Sequence, residues 1–321
     1  MNKQNLVFKT QDTKGELIDS SAVFYKTINP IGLIIVHHGT IFSNNMAPTN
    51  VKNYDSIAKL FLDKNYSVLF PDYIGFGVSF TTNYHPYLHK KSLSHNSYNL
   101  LLYLYNSNLI HKDCKIISAG YSEGGYASLA FVELAQNHGI MIDSINGAAP
   151  YNLFDTLYKG LQNPIYEFPE FIAYIIYSYE KIYKLDGLVN SLFKGGYPKI
   201  THRVFKHRFP FEIMHRIYPK EVVKFLDIEF LLGDSEIIQI FISKLKENSI
   251  NKFVPKSNTI LFSSRYDEIV DVTVTLDTFK MMKENNALSV NLIIDDDNNN
   301  CHFNSYPKFL KTVLMNLKNT I

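Results

Sequence analysis

The segment Gly120-Tyr121-Ser122-Glu123-Gly124-Gly125 constrains this chain more than any other stretch. Before it, Lys115-Ile116-Ile117-Ser118-Ala119 reads as a buried parallel strand. After it, Ala127, Leu129, Ala130, Val132 and Leu134, with Phe131, give a helix of mostly small apolar residues that can pack closely on a sheet. A G-x-S-x-G run between a strand and a helix predicts a turn so tight that the flanking positions must be glycine. It holds Ser122 in strained backbone geometry with its hydroxyl exposed.

The flanking pattern fixes the fold class as α/β. Leu6 to Thr10 and Leu17 to Lys26, joined around Asp12 to Gly15, read as an antiparallel hairpin at a sheet edge. From Gly32 onward, apolar runs alternate with helices: Leu33 to Val36, a helix over Tyr54 to Lys64, Ser67 to Phe70, and a helix over Ser97 to Asn106. The serine-bearing strand, its helix and Ile142 to Ala148 follow. Such alternation means a mostly parallel sheet covered on both faces.

From Pro150 to Pro255 no strand pattern is convincing. Apolar residues recur instead at helical spacing, as in Phe171, Ile172, Ile175, Ile176, Tyr179, Ile182 and Tyr183, and again over Phe225 to Leu232 and Ile237 to Leu245. This predicts an inserted all-helical cap over residues 151–254, with the sheet domain formed by 1–150 and 255–321. The sheet resumes at Thr259 to Phe262 and, after a helix through Leu276 to Lys283, at Val290 to Ile294. A last helix runs over Tyr306 to Leu317.

A serine hydroxyl needs a base, nearly always histidine, that is itself oriented by a carboxylate. After a turn of this kind the partners follow in the order acid, then histidine, on loops beyond later strands. Asp267 follows the first strand after the helical stretch and His302 follows the last strand. The strand ending at Val36 runs into His37-His38-Gly39-Thr40. Thr40 and Glu123 are therefore the expected backbone N–H donors to an oxyanion.

Here the chain resembles the α/β-hydrolase superfamily, and within it the secretory-lipase-like esterases of fungi and bacteria. The resemblance runs from about residue 6 to the end, through His38-Gly39-Thr40, Pro71-Asp72-Tyr73-Ile74-Gly75-Phe76-Gly77, His85-Pro86-Tyr87, the serine turn, Asp267 and His302. Relatives more often carry Gln than Glu after the nucleophile. The resemblance implies a serine carboxylic ester hydrolase for apolar acyl esters, with an acyl-enzyme on Ser122 and no cofactor. Two other readings stay open: a small-peptide or amide hydrolase, with Glu167 or Glu170 holding a substrate amine, and a non-catalytic ligand-binding relative.

Other clusters carry less. Gly75-Phe76-Gly77 has Phe80 at the third position of a dinucleotide-binding glycine motif. His85 and His89 have a zinc-like spacing, with His95 nearby, but no accompanying carboxylate or cysteine, which favours a loop of solvated or hydrogen-bonded histidines. Asp295 to Asn300 lacks the alternating ligands and glycine of a calcium loop and reads as a solvated segment carrying His302. The basic stretch Lys199 to Lys220 reads as a solvated face. No metal is expected.

A net charge of +2 argues against nucleic acid as a partner, and no apolar stretch approaches a membrane span. The expected partner is a small-molecule ester, with a homodimer compatible. Met1 to Asn5 run straight into strand-like sequence, so the chain as it stands reads as cytoplasmic, and as exported only if a signal peptide has been removed. Cys114 and Cys301 fall at opposite ends of a parallel sheet, which predicts two free thiols.

Overall fold

A computed structural model describes residues 2–52, 54–287 and 289–317. Every residue of Tyr66–Pro71 and of Ile116–Tyr121 is buried, as strands covered on both faces must be. These are β4 and β5 of an eight-stranded sheet ordered β1-β2-β4-β3-β5-β6-β7-β8. The others are β1 (Asn2–Gln11), β2 (Leu17–Lys26), β3 (Gly32–His37), β6 (Asp143–Gly147), β7 (Thr259–Ser264) and β8 (Val290–Asp295). β1 and β2 form the expected antiparallel hairpin, β2 pairs antiparallel with β4, and all remaining pairs are parallel.

Alternating side chains divide the core between the two faces. On one face Ile34, Val68, Phe70, Ile117 and Ala119 pack with α1 (Tyr54–Leu62) and α12 (Tyr306–Leu317) through Phe61, Phe309 and Val313. On the other, Leu33, Ile35 and Leu69 pack with α2 (Lys90–Asn106), α3 (Glu123–Asn137) and α11 (Val272–Glu284). α2 begins earlier than the sequence pattern suggests. The His89 ring accepts the Ser92 N–H at 3.3 Å and starts the helix at Lys90, a capping role that the usual Ser, Thr, Asp and Asn signals do not reveal.

Between β6 and β7 the described residues hold helices and one isolated bridge, Phe193 to Leu226. The helices are α4 (Leu153–Gln162), α5 (Pro169–Tyr183), α6 (Leu188–Leu192), α7 (Tyr197–His207), α8 (Phe211–Ile217), α9 (Ile228–Leu231) and α10 (Glu236–Asn248). α5 is the spine of this helical layer. It carries the expected apolar stripe, and its Ile172, Ile176 and Tyr179 are buried. The basic stretch from Lys199 folds as α7 and α8. Their inner residues Thr201, Val204, Phe205 and Met214 are buried, while Arg203, Lys206 and Arg216 face solvent. Among the described residues no helix is long and apolar enough to cross a membrane. Cys114 precedes β5, Cys301 follows β8, and both are free.

Candidate active site

Ser122 sits between the end of β5 and the first residue of α3 with φ 59° and ψ −126°, a conformation that ordinary residues avoid. Close approach of two backbones explains the glycines around it. A Cβ on Gly120 would run into the Gly124 backbone, and a Cβ on Gly124 would run into the carbonyl of His37 on β3. The turn is tied to the sheet by Ser122 N–H, which donates to the Gly147 carbonyl at 2.8 Å. Glu123, Gly124 and Gly125 are all buried, whereas Ser122 is only partly so. The strain of such a position, about 1–3 kcal/mol, persists because the neighbouring backbone leaves no alternative.

Asp267 and His302 come from the loops after β7 and β8 and meet. Asp267 Oδ2 lies 2.7 Å from His302 Nδ1, with both side chains buried. Asp267 Oδ1 accepts the N–H groups of Ile269 at 2.9 Å and Val270 at 2.7 Å, so the carboxylate cannot rotate freely. The histidine backbone is held as well: its N–H donates to Glu268 Oε2 at 2.9 Å, and the hydroxyls of Tyr121 and Ser305 donate to its carbonyl at 2.6 and 3.2 Å. Because Tyr121 immediately precedes Ser122, its bond ties the histidine loop to the serine strand. The rings of Tyr121 and His302 are 5.2 Å apart. Among the described residues no hydrogen bond joins Ser122 Oγ to His302 Nε2. In ligand-free enzymes this contact is often loose and tightens when substrate binds.

The residues expected as oxyanion donors flank the serine. Thr40 follows β3 directly beside β5, and Glu123 is the first residue of α3. The Thr40 hydroxyl is bonded to the Tyr87 hydroxyl at 3.1 Å. His37 and His38 are both buried, and burial holds each imidazole down to about 3, so neither carries charge at neutral pH. Nothing satisfies either ring nitrogen of His37 among the described residues.

Two cavities meet at Ser122. The first is lined by Tyr87, Glu123, Leu157, Phe171, Ile172 and Val270, among others, and leaves ≈ 50 Å³ for the centres of water-sized molecules. The second, bounded by Thr40, Tyr54, Phe70, Tyr121, Phe303 and Tyr306, leaves ≈ 360 Å³. From the helical layer, the aromatic side chains of Tyr166 and Phe171 line the first cavity. Phe168 and Tyr174 instead pack against Phe303 and Phe205.

The other polar clusters hold the fold together. His85 is buried and bonded to the Ile74 carbonyl at 2.9 Å and to Glu123 at 2.7 Å, and His89 caps α2. Asp295 is paired with Lys308 and takes an amide N–H of Asn300 at 2.8 Å. Among the described residues no group of three or more His, Cys, Asp or Glu could hold a metal. Glu167 pairs with Lys220 at the surface and Glu170 with His215, and neither lines a cavity at Ser122. No local sequence signal marks the His85–Glu123 contact, because 38 residues separate the two side chains.

This sheet, turn and loop arrangement is the α/β-hydrolase fold, and solved structures share it across nearly the whole chain. A presumed hydrolase of Legionella pneumophila is 22% identical, with a TM-score of 0.85 over 99% of this chain and 88% of its own. The rice cell wall degrading esterase LipA of Xanthomonas oryzae, in a ligand-bound form, is 17% identical with a TM-score of 0.83, over 99% of this chain and 89% of its own. Candida antarctica lipase A in its closed state is 16% identical with a TM-score of 0.77, over 99% of this chain and 78% of its own. No protein-family model and no curated protein matches the sequence.

Proposed function

We propose that the chain is a serine carboxylic ester hydrolase acting on esters with apolar acyl groups. The observation that carries this reading is the pairing of Asp267 with His302 at the same sheet edge where the strained turn presents Ser122 to two cavities. His302 Nε2 takes the Ser122 proton as Oγ attacks the ester carbonyl carbon, and the N–H groups of Thr40 and Glu123 receive the oxyanion. The proton then passes from His302 to the departing alcohol oxygen, leaving the acyl group on Ser122. Water, deprotonated by the same imidazole, releases the acid and restores the serine.

The esterase and lipase among the structural neighbours support this class by analogy of fold alone. Residues 151–254 act as a cap over a sheet domain of 1–150 and 255–321. The apolar side chains of the first cavity favour acyl chains, since each buried CH₂ contributes ~0.8 kcal/mol. An amide-hydrolase reading needs a carboxylate for a substrate amine, and the engagement of Glu167 and Glu170 elsewhere weighs against it. p-Nitrophenyl esters from acetyl to decanoyl, assayed beside aminoacyl anilides, test the reading. Rising and then falling kcat/KM with acyl length is expected; faster turnover of anilides would reverse the ranking.

A further inference from the structure

We infer that His85 is a positioning residue for the oxyanion donor at Glu123, and that the loop following β4 sets the spacing of both donors. The inference rests on the proposed esterase reading. His85 Nδ1 lies 2.9 Å from the Ile74 carbonyl, an acceptor only, so Nδ1 carries hydrogen. His85 Nε2 is 2.7 Å from Glu123 Oε1, a separation that requires one proton between them. The bond exists with that proton on either partner. Both side chains are essentially without solvent contact, at 0% and 1% exposure.

The other carboxyl oxygen of Glu123, Oε2, is buried and unpartnered among the described residues, so the His85 bond is the polar anchor for the side chain of the proposed oxyanion donor. Four rings hold the imidazole in turn: Tyr73, Phe76, Tyr87 and Tyr174, with centroids between 4.9 and 6.2 Å away. Arg208, at the end of α7, braces the same loop by bonding the carbonyls of Gly75 and Asn83.

The loop also reaches the other donor. The Tyr73 hydroxyl donates to the His38 carbonyl at 2.8 Å, and the Tyr87 hydroxyl meets Thr40 Oγ1 at 3.1 Å. Tyr73, His85 and Tyr87 thus grip β3's extension on one side of Ser122 and α3's first residue on the other. Donors aimed at a developing charge lose much of their effect when displaced by a fraction of an ångström to an ångström.

The test compares Glu123→Met, which fills the volume without the bond, with Glu123→Gln, whose amide N–H can still donate to His85 Nε2. Glu123→Met should lower kcat on a p-nitrophenyl ester by ~10- to 100-fold with KM within about threefold. Glu123→Gln should recover most of that loss. His85→Phe, a second route to the same break, should match Glu123→Met, and the double variant should be no worse than either alone. Equal kcat for the Met and Gln variants, or additive losses in the double variant, would overturn the inference while leaving the esterase reading intact. A wild-type protein inert towards every ester would overturn both.

Discussion

Asp267 holds His302 through a 2.7 Å bond to Nδ1 while two backbone N–H groups, from Ile269 and Val270, hold Asp267. The carboxylate therefore sets both the tautomer and the direction of the imidazole. Asp271 is engaged elsewhere, capping α11 by accepting the Thr273 N–H at 2.9 Å. Asp267→Asn should lower kcat by ~10³- to 10⁴-fold, because an amide cannot favour the same tautomer. Asp271→Asn should be nearly silent, since Asn caps about as well as Asp. Steady-state kinetics on the two variants decide; the reverse pattern contradicts the assignment.

Acid should destabilise the fold through histidines that are buried neutral. Burial holds His37 and His38 down to about 3 and His89 down to about 4, against 6.5 in the unfolded chain. As pH falls below ~6.5 the unfolded chain takes up protons that the folded one refuses, so stability drops until the folded values are reached. Asp72 acts in the opposite sense. Burial raises it to about 6, against the hydrogen bonds from Ser21 and Thr49, so its folded form binds a proton first and stability from this group falls as pH rises from ~3.8 to ~6. Three histidines outweigh one carboxyl, and urea midpoints should decline from pH 7 to pH 4.5. His37→Leu, which also removes two unpartnered nitrogens, should flatten that decline; an unchanged slope contradicts this assignment.

Arg208 ends α7 in a left-handed conformation, φ 52°, and its guanidinium bonds the carbonyls of Gly75 and Asn83 while lying 4.5 Å from the Phe80 ring centroid. Lysine cannot satisfy two diverging carbonyls and stack at once. Arg208→Lys should loosen the loop over residues 75–84 and lower its hydrogen-exchange protection by roughly tenfold, about 1.4 kcal/mol. Protection unchanged in that loop would show that the clasp carries little.

The serine turn is legible in the sequence because its glycines are demanded by backbone clashes that only a strand–turn–helix crossing creates, and β4 and β5 are legible as continuous apolar runs. Asp267 and His302 can be placed because each follows a strand end. What stays hidden depends on side chains meeting across the fold. His85 and His89 share a helical or metal-like spacing, yet one reaches Glu123 and the other caps α2. The short helices α6 and α8 leave no clear mark because one or two turns show too little periodicity, and the charges of α7 mask its buried Val204 and Phe205.

Everything proposed for the chemistry depends on Ser122 being the nucleophile, and labelling with a fluorophosphonate followed by peptide mass spectrometry examines that assignment without knowledge of the natural substrate. The probe should modify the wild-type protein once, on the peptide containing Ser122. Ser122→Ala should lose labelling and ester hydrolysis together while keeping the thermal stability of a folded chain. Labelling that survives in Ser122→Ala, or that maps to another residue of the wild type, would refute the assignment.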